Sequence, residues 1–389
     1  MSQWLKNNLK GDPVIWGIVF LLSILSILAV YSATSSLAYR QMKGNTEYYL
    51  IKHASLMLAS LVAMWVAHQI DYRYYAGIAR IGLWASVPLL LITWRYGLKL
   101  NEASRWLTVP VINKAFQPAD LAQLALIVRV ASILARQQQS IQNLKQTLVS
   151  ILVWCGIICG LIALTNLSSA LLLFLTCMLL MFFGSIPIRY LAILSAIGVV
   201  AVSLAMGVGQ RGSTALNRIK AFRQEELPFQ TEQAYIAIAT GGVYGKGPGK
   251  STQRNFLPHP YSDFIYAILV EEYGLVGGLA VMLLYLFLLY RSIYNVAIKS
   301  QSYRGLLSAG LSFALVLQAM VNIGVAVGLG PVTGLPLPFI SMGGTSLLFT
   351  GISLGIIVSV SRGEIDQSIE WLTQQSRQSR FQNAYRAFI

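Results

Sequence analysis

Charge is the scarcest commodity in this 389-residue chain: only 11% of its residues are Asp, Glu, Lys or Arg. Soluble globular domains carry about 25%, so a soluble enzyme is excluded. A hydrophobic content of 56% excludes a disordered protein as well. Acid is scarcer than base, with 14 Asp+Glu against 29 Lys+Arg and a net charge of +15. In a soluble protein that excess would suggest nucleic acid. Here it points to basic loops beside anionic membrane lipid, and it also suits a phosphate-bearing substrate. Cysteine is nearly absent. Cys155, Cys159 and Cys177 all fall in apolar runs, so they read as small core hydrophobes and give neither a disulfide framework nor a metal site.

What the chain does have is apolar length. A membrane-spanning helix needs about 20 mostly apolar residues. Candidate spans run over 14–36, 50–69, 74–95, 119–135, 147–165, 168–184, 187–207, 263–291, 304–328 and 343–361. The fourth is the weakest because it contains Arg129. The expected fold is an all-α polytopic membrane protein of about ten spans, with a long extracytoplasmic loop between the seventh and the eighth. Residues 1–361 form the transmembrane domain, with that loop at 208–262. Residues 362–389 form a polar cytoplasmic tail.

Orientation follows the Lys/Arg content of short loops. With the N-terminus inside, the inner segments hold about 13 basic residues, among them Lys6, Arg73, Arg136, Arg291 and Arg362. The short loop near 37–52 holds Arg40, Lys43 and Lys52. Both termini are therefore expected in the cytoplasm. The basic loops 96–118 and 208–262 do not alter this, because long loops translocate largely regardless of charge.

Four acidic residues lie in or beside spans: Asp120, Asp263, Glu271 and Glu272. Ionisable groups at membrane depth are costly and are functional candidates by default. Asp263 follows Pro258, Pro260 and Ser262, where the loop becomes a helix. It reads either as a helix cap or as a carboxylate facing a cavity, able to take a proton from a hydroxyl nucleophile. On a continuous helix Glu271 sits about 12 Å further along and about 80° around, and Glu272 lies on the opposite face. Paired hydrolytic carboxylates stand about 5–9.5 Å apart, so a two-carboxylate hydrolase is disfavoured. Glu271 and Glu272 read instead as buried partners of Arg or Lys. His259 reads as a loop hydrogen-bonder.

The loop before the eighth span is rich in glycine, with Gly241, Gly242, Gly245, Gly247 and Gly249 ahead of Lys250 and Ser251. The phosphate-loop pattern G-x-x-x-x-G-K-[ST] fails, because Tyr244 stands where its first glycine belongs. These glycines either give a flexible loop with positive φ or let the backbone approach a polar headgroup, aided by Lys246, Lys250 and Arg254. Further on, Pro331, Pro336 and Pro338 interrupt helix before Gly343 and Gly344. Irregular backbone at membrane depth must be buried in protein or line a cavity. Ser341, Thr345 and Ser346 would supply hydroxyls there. In the loop 96–118, Arg105 and Lys114 suit a pyrophosphate.

In order along the chain stand Arg105-Trp106, Gln117-Pro118, Arg218-Ile219, Gln230 and Gln233, GKGPGKSTQ, LPHPYSDFIYAILVEEYG and TGLPLPFISMGGTS. With these motifs the chain resembles the SEDS family (shape, elongation, division and sporulation). These are the polytopic bacterial peptidoglycan glycosyltransferases typified by RodA and FtsW. The segment Gly247–Gln253 fits the pattern G-x-G-x-S-x-Q of the division-type branch. The resemblance implies that Asp263 is the essential general base. It also adds Gln233 to a substrate-binding set of Arg105, Lys114, Lys250, Arg254 and Ser341, with Asp120, Glu271 and Glu272 in supporting roles. Two family motifs depart. Q-P-S-E-x-x-K reads Gln117-Pro118-Ala119-Asp120-Leu121-Ala122-Gln123, and the Asp of Q-P-D-x-G-T is Asn166. Asp263 is left as the catalytic carboxylate.

The implied reaction polymerises lipid II. The acceptor 4-hydroxyl, deprotonated by Asp263, attacks C1 of the lipid-linked donor sugar with inversion, and polyprenyl pyrophosphate leaves. Basic groups or a divalent cation, Mg²⁺ or Mn²⁺, would stabilise its charge. The implied partners are a class B penicillin-binding transpeptidase and other cell-division or elongation proteins, in the cytoplasmic (inner) membrane. The alternatives are a lipid II flippase and a non-catalytic scaffold that activates its transpeptidase.

Overall fold

The computed structural model describes residues 9–41, 45–100, 103–109, 114–139, 144–208, 217–218, 220–222, 228–257, 259–297 and 303–362. Apolar runs become helices wherever the sequence supplies about 20 residues without a break, because only a helix satisfies every backbone group within lipid. The helices are α1 (Pro13–Gln41), α2 (Thr46–Gln69), α3 (Tyr72–Tyr96), α4 (Pro118–Gln139), α5 (Leu144–Thr165), α6 (Leu167–Phe183), α7 (Ile188–Val208), α8 (Phe229–Gly241), α9 (Ile265–Ala297), α10 (Tyr303–Ala326) and α11 (Gly344–Arg362). Eight of them are long and apolar enough to cross a membrane: α1 to α5 and α9 to α11. The apolar helices α6 and α7 fill the positions expected for the sixth and seventh spans. The 17 residues of α6 reach about 26 Å at 1.5 Å per residue.

The weakest expected span is among the best enclosed helices. In α4, Ala122, Leu126, Val130, Ala131 and Leu134 are buried to 0% exposure. It packs against α3, α5, α6 and α10. Arg129 rides on a helix whose other faces are filled, which is why hydropathy alone undervalues it.

Two features add structure to the loops of this all-α fold. The loop 96–118 folds into an antiparallel sheet of β1 (Leu98–Leu100), β2 (Ala103–Val109) and β3 (Lys114–Phe116), in the order β1-β2-β3. The register pairs Leu98 with Trp106 and Leu107 with Phe116. The sheet lies over the start of α11. Gln117 N–H donates to Thr345 Oγ1 at 3.1 Å, and the Phe116 and Phe349 ring centroids lie 6.1 Å apart. The loop 208–262 contains α8, which packs on α9.

At the far end of the bundle the helices are tied by ions and caps. Arg291 Nε meets Asp12 Oδ2 at 2.5 Å, and Asp12 N–H donates to Ser361 Oγ at 3.0 Å. These bonds join α1, α9 and α11 at the end opposite the sheet. The tail beyond Arg362 lies outside the described residues.

Candidate active site

The turn 259–263 delivers Asp263 to the top of α9. Two straps hold its backbone. Asn322, on α10 and 2% exposed, donates both amide hydrogens, one to the Asp263 carbonyl and one to the Leu335 carbonyl, each at 2.8 Å. Ser341 Oγ donates to the Ser262 carbonyl at 2.7 Å and accepts from Leu337 N–H at 2.8 Å. Met342 N–H closes the same seam on the Tyr261 carbonyl at 2.9 Å. The Asp263 side chain is half-buried, and Ser262 Oγ donates to its Oδ1 at 2.9 Å. Among the described residues no backbone N–H caps onto this carboxylate and no cation pairs with it. The side-chain helix cap that the sequence allowed is therefore not formed. His259 hydrogen-bonds the Tyr261 hydroxyl at 3.2 Å, and burial raises the Tyr261 phenol above its ordinary range.

The proline segment is buried in protein. Leu335, Leu337, Phe339 and Ile340 are all at most 5% exposed. Gln318 Nε2 donates to the Pro336 carbonyl at 2.9 Å, and the Tyr285 hydroxyl to the Pro338 carbonyl. Phe339 sits at φ +65°, a strained position for a bulky residue. Ser26 Oγ donates to the Ile340 carbonyl at 2.9 Å and meets His53 Nε2 at 2.8 Å. A second histidine therefore supports the site from below. Ser341, expected to bind substrate, is 3% exposed with both roles of its hydroxyl taken. It is corrected to a backbone strap.

Glu271 and Glu272 stand two turns along α9, fully buried. Buried carboxylates need partners, and the glycine loop supplies them. Glu271 accepts from Lys246 Nζ at 2.6 Å, Thr252 N–H at 3.0 Å, Thr252 Oγ1 at 2.8 Å and the Ser251 hydroxyl. Glu272 accepts from the Ser32 hydroxyl and from Ser251 N–H at 3.3 Å, and lies 3.9 Å from Arg254 Nη1. Arg254 Nη1 also donates to Ser32 Oγ at 2.9 Å. This corrects the expectation for Arg254: its guanidinium joins the loop to α1 and α9. Lys250 alone of the loop cations stays exposed.

The glycines explain the loop's shape. A Cβ on Gly241 would stand 2.3 Å from the Val270 carbonyl oxygen, and one on Gly245 2.2 Å from that of Glu272. Gly274 (φ +70°) breaks α9 at the reciprocal contact, where an added Cβ would stand 2.2 Å from the Val243 carbonyl oxygen. The glycines let the loop backbone approach the protein's own helix closely.

Asp120 sits in the first turn of α4 with Oδ2 buried and unpartnered among the described residues. Gln233 is half-buried on α8. Arg105 and Lys114 fall on β2 and β3. Their neighbour Trp106 lies against the start of α11, 3.8 Å from the Cβ position of Gly344. Asn166 caps α6, accepting from Ser169 N–H at 3.3 Å. Among the described residues no group of three His, Cys, Asp or Glu side chains is arranged to hold a metal ion. The residues that sequence reasoning missed are Asn322 and Gln318. Their signal was present: two amides at i and i+4 on an otherwise apolar helix, aimed at one polar segment.

A helical, multi-pass membrane protein thus presents, at an end roofed by a sheet and a latched loop, the Asp263 carboxylate, which no cation or backbone N–H engages among the described residues. That is the architecture of a membrane-embedded transferase family. The family described as cell cycle protein, FtsW/RodA/SpoVE, matches residues 12–365, and the chain belongs to it. Within it the chain is FtsW-like. It is 31% identical over 377 residues to the probable peptidoglycan glycosyltransferase FtsW of Geobacter metallireducens, covering 93% of this chain and 98% of that one. It is 30% identical over 359 residues to stage V sporulation protein E of Bacillus subtilis, covering 89% and 95%. Among solved structures it superposes on a chain of a peptidoglycan synthase complex that coordinates polymerization and crosslinking. There the TM-score is 0.71 at 25% identity, with 91% and 98% covered. RodA of Thermus thermophilus gives a TM-score of 0.67 at 25% identity, with 92% and 99% covered.

Proposed function

We propose that this chain is the peptidoglycan glycosyltransferase of a cell-wall synthase, polymerising lipid II at the outer face of the cytoplasmic membrane. The observation that carries the reading is the contrast between Asp263 and the two glutamates further along α9. Glu271 and Glu272 are consumed by loop contacts, while Asp263 is braced through its backbone with its carboxylate left for chemistry. Asp263 takes the proton from the acceptor 4-hydroxyl as that oxygen bonds to C1 of the donor sugar. The bond from C1 to the pyrophosphate oxygen breaks, and polyprenyl pyrophosphate leaves with both electrons. Lys250, with Arg105 and Lys114 on the sheet, supplies positive charge toward the leaving group. Gln233 on α8 orients the substrate. A divalent cation would arrive on the pyrophosphate itself, since the described residues offer it no cage of three ligands.

With this face outside, both termini lie in the cytoplasm, and residues 1–361 form the transferase domain. The partner is a class B penicillin-binding transpeptidase, as the likeness to a synthase complex supports.

The test is lipid II polymerisation by the purified protein with its cognate transpeptidase, comparing wild type with Asp263→Asn. The expected loss is about 100-fold or more, the contribution of a general base. Undiminished product from the variant would overturn the site. No product from wild type, with the partner present, would favour a flippase or a scaffold.

A further inference from the structure

Opposite the Asp263 end, five arginines form a connected group. The Arg304 guanidinium lies 5.0 Å from the Tyr72 ring centroid and that of Arg73 5.8 Å. Tyr72 and Tyr303 stand 6.3 Å apart, ring to ring. Arg136 acts on Tyr303 and on Arg129, and Arg80 acts on Arg129. Asp71 acts on Arg73 in this group, and it accepts from Arg73 N–H at 2.9 Å as the cap of α3.

Basic residues at one end of a membrane bundle are ordinary. Arg129 is not at the end. It sits about three turns from either end of α4, between Val128 (2% exposed) and Val130 (0%). Its Nη1 is buried and meets no acceptor among the described residues. Its charged neighbours are like-charged. Arg80 faces it from α3, where Gly82 and Ala125 bring the two helices together, 3.6 Å from Cβ position to Cβ. Arg129 is half-buried, and an anion at its orphaned Nη1 would supply the acceptor that the described residues do not.

We propose that Arg80 and Arg129 hold the phosphate of an anionic membrane lipid. The planar guanidinium suits two phosphate oxygens, and basic pockets between spans take lipid headgroups. The surroundings select a lipid over free phosphate. Arg80 is exposed beside Ile78, Ile81 and Trp84, which are 51%, 74% and 64% exposed. That apolar strip accommodates an acyl chain, whereas a free phosphate would have to leave water to reach it.

The test extracts the full-length protein from vesicles of phosphatidylglycerol and phosphatidylcholine into uncharged detergent. Native mass spectrometry then counts the phosphatidylglycerol retained. Arg129→Gln and Arg80→Gln should each bind it about fivefold more weakly, the worth of one cation near an anionic lipid. Arg189→Gln, at an exposed arginine on α7, should bind it like wild type. Because Arg80 is exposed, its variant reports even where Arg129→Gln fails to fold. An equal fall in Arg189→Gln would make the effect one of general charge and overturn the site. Unchanged retention in Arg80→Gln and Arg129→Gln would leave a carboxylate of this chain as the anion and overturn it too. A second arm adds sodium pyrophosphate to lipid-free protein. Arg129-dependent thermal stabilisation there, without lipid retention, would assign the site to soluble phosphate and overturn the lipid source.

Discussion

The side-chain amide of Asn322 donates 2.8 Å to the backbone carbonyl of Asp263 and, with its other hydrogen, 2.8 Å to the carbonyl of Leu335. One residue of α10 therefore fixes both walls of the site, the top of α9 and the proline segment. Asn322→Ala strands two buried carbonyls at about 1–3 kcal/mol each. We expect a lower Tm and a fall in the polymerisation kcat of about tenfold, with KM for lipid II little changed. Steady-state kinetics on variant that remains folded is the check. A change in KM alone would mean that Asn322 shapes substrate binding and not Asp263.

The latch predicts a different failure. Glu271→Ala leaves the Lys246 ammonium facing a buried gap and removes the acceptor of Ser251 and Thr252. Breaking one partner of such a pair costs about 3–5 kcal/mol. The loop 242–256 should then become cleavable by protease, while wild type resists. Lys246→Met, which removes the charge but keeps bulk, should cost less than Glu271→Ala. Equal resistance of all three proteins would show that the glycine contacts alone hold the loop.

Those glycines separate contact from conformation. Gly245→Ala places a methyl 2.2 Å from the Glu272 carbonyl oxygen, so backbone must move. Gly249→Ala meets nothing within 4 Å, although φ is +73°. The second should cost about 1–2 kcal/mol, the left-handed penalty alone, and the first clearly more. Thermal unfolding in detergent ranks them, and equal Tm values would refute the close-approach account.

The spans were legible because lipid forces one answer on an uninterrupted apolar run. Asp263 was legible because it stands where a proline-broken loop becomes a span, within the motif LPHPYSDFIYAILVEEYG. The sheet was not, since β2 carries too few residues for a period to show and its partner strands are three residues each. The fate of the loop cations was hidden as well. Lys246, Lys250 and Arg254 look alike in sequence, and only the fold brings Glu271 and Glu272 under two of them. Asn322 was overlooked because amides carry no charge, although its spacing from Gln318 points both at one segment.

That difference among cations gives the last test. Arg254 bridges α1 and α9 through Ser32 and Glu272, whereas Lys250 projects from the loop. Arg254→Ala should lower Tm, because it removes the hydrogen bond to Ser32 and uncovers Glu272. Lys250→Ala should leave stability within about 0.5 kcal/mol of wild type, and Tm little changed, as exposed substitutions do. If Lys250 meets the pyrophosphate, its loss should raise KM for lipid II several-fold at low salt, and the difference should shrink as salt screens the charge. The paired measurement is Tm and KM for both variants. A KM effect from Arg254→Ala at unchanged Tm would return that residue to the substrate, against the hydrogen bonds it makes here.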